Sequence, residues 1–204
     1  MSDNTTLLIT LAQPASEEVE RFQSYVGAST ELAVAAGAEV GNRFAVRSVI
    51  GDVPAAVFGF ASFPSAESIT TMFDGDAYQA LIPDRDKSLE AVNAYIVDNP
   101  PAMGLPDTDG AYLVVVAAPN PEAMADLQAY QTGSAPLFAK YGARPVANFP
   151  VAGRPVGDTP AAFIAVLEFD SPESAVAVFD DPDYQAIVPQ RDSGLASLNV
   201  YVTG

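Results

Sequence analysis

The residues of this chain best suited to chemistry come in two copies of one motif. Tyr78 is followed by Arg85, and Tyr184 is followed by Arg191, so that each residue recurs 106 positions later. A guanidinium group can hold a carboxylate or polarise a carbonyl, and a Tyr hydroxyl can donate or accept a hydrogen bond. Both Tyr–Arg pairs are therefore candidates for binding a ligand.

Each of these side chains also has an ordinary structural interpretation. The arginines have acidic neighbours with which they could form ion pairs, namely Asp84, Asp86 and Asp192. Buried tyrosines usually donate their hydroxyl to a backbone carbonyl. The net charge of −17 further disfavours an anionic ligand.

A second set of polar candidates lies on the predicted last strand of each half. Asn93 and Tyr95 are two residues apart and share one face of a strand, and Asn199 and Tyr201 repeat the pattern. We expect this face to point between two sheets. There the pair would either line a cavity or form hydrogen bonds across the interface.

Tyr25 and Tyr130 are a third pair of candidates, on the predicted first helix of each half. Ser29 and Ser134 follow them by about one turn, which places a polar notch on an otherwise apolar helix face. The notch would either contact a ligand or satisfy its own hydrogen bonds in the core.

The composition excludes several classes of function. The chain has 26 acidic and nine basic residues and lacks histidine and cysteine. We therefore expect neither a nucleic-acid nor a membrane partner, because both require basic surface. Without His or Cys only oxygen ligands remain for a metal, and the Asp-rich turns lack the spacing of a calcium loop, so we predict no metal site and no cofactor.

The N-terminal sequence predicts the compartment. Residues 1–6 are polar and acidic, unlike the basic start of a secretory signal, and no apolar run reaches the roughly 18 residues of a membrane span. We expect a soluble, cytoplasmic protein.

The internal repeat predicts two domains. Its period of about 105 residues is too long for a solenoid, whose units have about 20–50. We place the first domain at residues 1–97, a linker rich in Pro, Gly and Asp at residues 98–110, and the second domain at residues 111–204.

The pattern within each half predicts the order β-α-β-β-α-β, the ferredoxin-like unit. Ser16 is the expected N-cap of the first helix, and Ser65 and Ser171 are the expected N-caps of the second helices. The Gly-Asp-x-Pro sequences at residues 51–54 and 157–160 should form turns between the second and third strands.

The first strand of each half predicts how the sheets pack. Residues 7–12 and 113–118 are continuous apolar runs, typical of strands covered on both faces. Helices cover only one face of a ferredoxin-like sheet. We therefore predict an α+β fold in which the two sheets pack face to face, as an intrachain pseudo-dimeric α/β barrel, with further homo-oligomerisation left open.

The motif Phe-x-Ser-x-Glu-Ser followed by Tyr-Gln-Ala and Pro-x-Arg resembles the DUF1330 family of the dimeric α/β-barrel superfamily. Both halves contain it, from Phe63 to Arg85 and from Phe169 to Arg191. The resemblance implies two fused copies of this domain. Members of the wider superfamily include monooxygenases, isomerases, dehalogenating enzymes and haem-binding proteins, and the absence of histidine weighs against haem here.

Two functions follow as hypotheses. The first is a small-molecule binding protein or cofactor-independent enzyme, with a pocket in each half between the sheet and the second helix. The second is a non-catalytic module in which the repeated residues serve only folding and assembly.

Overall fold

A computed structural model of the protein describes residues 6–98, 100 and 110–203. The chain folds into two compact units. Unit 1 consists of residues 1–46, 53–100 and 150–158, and unit 2 consists of residues 47–52, 101–149 and 159–204. Most of the predicted linker lies outside the described residues.

Unit 1 contains the first β-α-β-β-α-β order. Its elements are β1 (Thr6–Pro14), α1 (Val19–Ala35), β2 (Glu39–Ile50), β3 (Val57–Phe63), α2 (Ala66–Asp74), α3 (Asp76–Gln79), α4 (Ile82–Ser88) and β4 (Leu89–Val97). The last four residues of β2, 47–50, belong to unit 2. The strands are antiparallel, with β1 between β3 and β4. This order is the one that the apolar runs and the turn signals predict.

Unit 2 repeats the pattern. Its elements are β5 (Ala111–Pro119), α5 (Met124–Lys140), β6 (Arg144–Pro150), β8 (Phe163–Phe169), α6 (Pro172–Ala177), α7 (Pro182–Gly194) and β9 (Leu195–Thr203). Strand β5 lies between β8 and β9, again antiparallel. The α+β class is thus confirmed, with a linear strand order of β6-β8-β5-β9.

Strand β7 (Gly153–Val156) was not predicted from the sequence. It pairs with β4 in unit 1, where Ala94 is opposite Val156 and Ile96 is opposite Gly153. Its Gly and Pro residues have low strand propensity, so the pairing with β4 must compensate for a weak local preference.

The helix starts follow the sequence in part. Ser65 and Ser171 cap α2 and α6, each accepting a hydrogen bond from a backbone N–H three residues later. The Ser16 prediction is wrong, because α1 begins at Val19 with Glu18 at the N-cap and no side-chain cap. The Glu18 N–H instead bonds to the Ala15 carbonyl, so Ser16 lies within the turn before the helix.

The first strands are buried on both faces, as their apolar runs predict. Thr6, Leu7, Leu8 and Ile9 of β1 are all buried, and side chains of successive strand residues point to opposite faces. One face of β1 packs under α1 and α2, where Leu8 joins a core with Ile69 and Phe73. Among the described helices, none is long and apolar enough to cross a bilayer.

Candidate functional site

A cavity of about 400 Å³ lies in unit 1, between helix α1 and the sheet. This volume is within the range of about 300–1,000 Å³ that is usual for ligand sites. Most of its wall is apolar, and the residues from α1, α2 and the sheet include Leu8, Phe22, Val26, Ala33, Val57, Ala61, Met72, Phe73 and Val92. Residues of one compact unit therefore enclose space for a small molecule.

Small side chains keep this space open. Ala33 on α1 and Gly59 on β3 both line the cavity. Gly59 is opposite Thr10 of β1 and Arg43 of β2, so the three residues form one row across the sheet. A Cβ at Gly59 would come within 3.3 Å of Thr10 Oγ1 and 3.4 Å of Arg43 Cγ. Because Gly59 has no side chain, the sheet surface that forms the bottom of the cavity is open at this point.

Unit 2 has larger residues at the corresponding positions. Phe138 takes the place of Ala33, 105 residues later in the chain. Its ring centroid is 6.5 Å from that of Phe169 and 6.1 Å from those of Phe179 and Tyr184. Ala165, opposite Val115, replaces Gly59 opposite Thr10. Each replacement adds apolar volume where unit 1 is open.

Two tyrosines meet at one end of the cavity. Tyr25 on α1 and Tyr78 on α3 both line it, and their hydroxyl oxygens are 3.1 Å apart. The Tyr78 ring is buried and contacts Phe73 edge-on, with ring centroids 4.6 Å apart. The partner of the Tyr78 hydroxyl is therefore a side chain, where the sequence predicts a backbone carbonyl.

Arg85 on α4 supports the tyrosine pair from outside the cavity wall. Its guanidinium is hydrogen-bonded to Tyr78 and forms an ion pair with Asp86, with Nη2 and Oδ1 2.8 Å apart. Burial acts to lower the pKa of Arg85, but the hydrogen bonds to Tyr78 and Asp86 outweigh it and raise that pKa. Arg85 is thus a fixed cation that touches Tyr78.

The guanidinium of Arg85 can only donate, so the Tyr78 oxygen is the acceptor of that hydrogen bond. A hydroxyl oxygen can accept two hydrogen bonds, so either tyrosine can be the donor in the bond between Tyr25 and Tyr78. Burial and the neighbouring Tyr78 raise the pKa of Tyr25, so this hydroxyl stays protonated at neutral pH. It can serve as a hydrogen-bond donor to the cavity.

The same three-residue arrangement exists in unit 2. The hydroxyls of Tyr130 and Tyr184 are 3.2 Å apart, and Arg191 Nη1 donates to the Tyr184 oxygen at 3.2 Å. Arg191 also pairs with Asp192 at 2.8 Å. In each unit, the structure thus brings together three residues that were predicted separately from the sequence: the helix Tyr and the Tyr–Arg pair. In unit 2, the ring of Phe138 packs against Tyr184 of this group.

Asn93 and Asn199 lie elsewhere. Both are buried, and each lies against a Gly-Asp turn within its own unit: a Cβ on Gly157 would overlap Asn93 Oδ1, and a Cβ on Gly51 would overlap Asn199 Oδ1. Neither Asn lines the cavity, whose residues from β4 are Leu89 and Val92. Their placement fits the packing of a turn better than contact with a ligand in this cavity.

Arg43 is a cavity residue that sequence reasoning missed. It is exposed at the edge of the cavity, and its Nη2 donates to Thr30 Oγ1 on α1 at 2.9 Å. Arg43 has no Arg counterpart in the other half, where Asn148 stands 105 residues later, so a search for repeated residues passes it over. The sequence feature that could have identified Arg43 is that it is one of only nine basic residues in the chain.

The described residues contain no group of three or more acidic side chains that could hold a metal ion. The polar groups around the cavity are hydroxyls and one guanidinium. Their chemistry is that of hydrogen bonding to an organic molecule.

Comparison with known proteins gives a family for part of the chain. Residues 110–204 match the family described as Domain of unknown function (DUF1330). Among curated proteins, none matches the sequence.

Two solved structures are similar over nearly the whole chain. An anthrone oxidase-like protein is 17% identical with a TM-score of 0.63, covering 100% of this chain and 92% of that chain. A mutant chlorite dismutase from Candidatus Nitrospira defluvii is 10% identical with a TM-score of 0.55, covering 98% of this chain and 91% of that one. At these identities the likeness concerns the fold alone.

Proposed function

We propose that this protein binds a small, largely apolar organic molecule in the cavity of unit 1. The observation that carries the proposal is the cavity itself, apolar on most sides and lined at one end by the hydroxyls of Tyr25 and Tyr78. A few placed polar groups in an apolar pocket are what fixes the orientation of a ligand. The preferred ligand therefore carries an oxygen that accepts a hydrogen bond from Tyr25.

The difference between the units supports one site per chain. Ala33 leaves the space open in unit 1, and Phe138 occupies the corresponding place in unit 2. Helix α1 thus borders a binding site, and helix α5 contributes to a packed core.

A ring placed at residue 33 tests the proposal directly. We expect neutral tricyclic ketones such as anthrone, kept under nitrogen, to raise the melting temperature of the wild-type protein. Ala33→Phe should abolish this shift, because the new ring occupies the cavity. Tyr25→Phe should weaken binding by roughly fivefold, the contribution of one hydrogen bond of about 1 kcal/mol.

The competing function is a structural module without a ligand. A panel of neutral aromatic ketones that binds neither the wild type nor Ala33→Phe would support that alternative and contradict ours. The unliganded melting temperature of Ala33→Phe serves as the folding control.

Oxidation of the bound molecule is a second candidate, favoured by the protonated Tyr25 hydroxyl that could stabilise a developing oxyanion. The similar structure of an anthrone oxidase-like protein suggests the probe. In air, anthrone and O₂ would give anthraquinone and water. Enzymatic oxygen uptake above the buffer rate, lost in Ala33→Phe, would establish catalysis; binding without uptake would leave a binding protein.

We also propose that the chain is a fusion of two DUF1330 domains that together form one pseudo-dimeric barrel. Three observations support this proposal: both halves have the same order of elements, β1 is buried on both faces, and each unit includes a segment from the other half of the chain. Residues 150–158 follow β6 in the chain and yet belong to unit 1. A monomer in light scattering, with a single cooperative unfolding transition, is the expected result.

A further inference from the structure

The cation at the edge of the cavity lacks an acidic partner. Arg21, Arg85, Lys140, Arg144 and Arg191 all form ion pairs with carboxylates. Within the described part of the chain, no carboxylate is within ion-pair distance of Arg43, whose side-chain hydrogen bond goes to Thr30. Although the chain has 26 acidic residues, none of those described neutralises this arginine.

The location of Arg43 coincides with the open cavity. Its Cγ is next to Gly59, and the row Thr10–Gly59–Arg43 forms part of the cavity floor. The Thr30 hydroxyl holds one end of the guanidinium against α1, which reduces the freedom of the side chain. The remaining N–H groups form a planar fork that matches the geometry of a carboxylate.

Unit 2 is a natural comparison. Asn148 stands in the place of Arg43, and Phe138 in the place of Ala33. The half that has the cavity also has the cation, and the half with the filled core has an amide and a ring at these two positions.

We infer that the ligand is an apolar monocarboxylate, with its ring system inside the cavity and its carboxylate at Arg43 and Thr30. This inference rests on the proposed function and specifies the class of ligand. The exposed position of Arg43 lets the carboxylate keep part of its hydration, which avoids the cost of burying a charge. The apolar wall then provides affinity, and Arg43 selects the acid over neutral analogues.

A matched pair of fluorescent probes tests the inference. Anthracene-2-carboxylate and its methyl ester have the same ring system and differ in charge. We expect the wild-type protein to bind the acid at least about tenfold more tightly, as for a hydrogen bond to a charged group. Arg43→Gln should remove this preference by weakening only the acid. Arg47→Gln is the control, because it makes the same change in net charge on the same strand at a residue outside the cavity.

The outcomes separate the inference from the proposed function. Equal binding of acid and ester by the wild type, or an equal loss in Arg43→Gln and Arg47→Gln, overturns the inference and leaves the binding function in place. Binding of neither probe, with no difference between wild type and Ala33→Phe, overturns both.

Discussion

The role of a single residue in this protein depends on the residues that contact it in the folded structure. The Tyr78 hydroxyl forms hydrogen bonds with both Tyr25 and Arg85, which fixes its position at the cavity. Asp181 is buried although it is an acid, and three donors account for this: Lys140 Nζ at 2.7 Å, the Tyr141 hydroxyl at 2.9 Å and the Asp183 N–H at 2.8 Å. These contacts, led by Lys140, lower the pKa of Asp181 to about 2.

Asp181 should make folding stability depend on pH between about 5 and 1. Its pKa in the folded state is below the value of about 3.9 in an unfolded chain, so its contribution is complete above about pH 5 and is lost as the pH falls through 2. We expect Asp181→Asn to melt at a lower temperature than wild type at pH 7, and the difference to become much smaller by pH 2. The exposed Asp170→Asn is the control, and a difference that is as large at pH 2 as at pH 7 would contradict the assignment.

Two glycines should respond in opposite directions to alanine. Gly157 has φ of +87° and its Cβ would overlap Asn93 Oδ1 and the Val92 carbonyl, so Gly157→Ala should cost about 2–4 kcal/mol. Gly27 lies within α1 with nothing within 4 Å of a Cβ, so Gly27→Ala should stabilise the protein by about 0.5–1 kcal/mol. Denaturant unfolding measures both. A stable Gly157→Ala variant would show that the turn can move away from Asn93.

At the scale of elements, the equivalent helices α1 and α5 have different surroundings. Helices α1 and α5 have the same length and the same Tyr at their centre, but α1 presents Ala33 to a cavity and α5 presents Phe138 to three aromatic rings. The sequence repeat identifies these helices as equivalent. The residues that differ between them are therefore the ones whose exchange tests whether unit 1 binds a ligand and unit 2 does not.

Exchanging the two side chains should have unequal effects. Phe138→Ala removes a half-buried ring and should cost about 2–3 kcal/mol, below the roughly 3–5 kcal/mol of a fully buried Phe. Ala33→Phe should change stability by less, since the cavity can accept part of the ring. Urea unfolding of the two variants measures the contrast. Equal destabilisation would mean that the space beside Ala33 cannot accommodate a ring.

At the scale of the whole molecule, the dominant property is charge. A net charge of −17 on 204 residues destabilises the compact state through self-repulsion, and the surface ion pairs offset little of it. The acidity also disfavours anionic partners in general. A carboxylate ligand therefore needs the local cation that Arg43 provides.

Added salt should stabilise this protein. Raising KCl from about 10 mM to about 1 M screens the repulsion and should add about 1–2 kcal/mol, or roughly 2–8 °C in melting temperature. A variant with Glu17, Glu20 and Glu31 changed to Gln, all exposed, should show a smaller increase. Calorimetry measures both, and a melting temperature that falls with KCl would contradict this account.

The sequence by itself determined the order of the elements, because apolar runs, turn glycines and Ser caps are local signals that tertiary context here reinforces. It also identified the Tyr and Arg residues that meet, since each recurs in both halves. Tertiary structure decided the rest. Only contacts between distant strands create β7 from a weak local pattern, and only the packing of α1 over Gly59 turns Ala33 into the wall of a cavity. The walls of the cavity come from elements that are distant in the chain, so no single stretch of sequence could predict it.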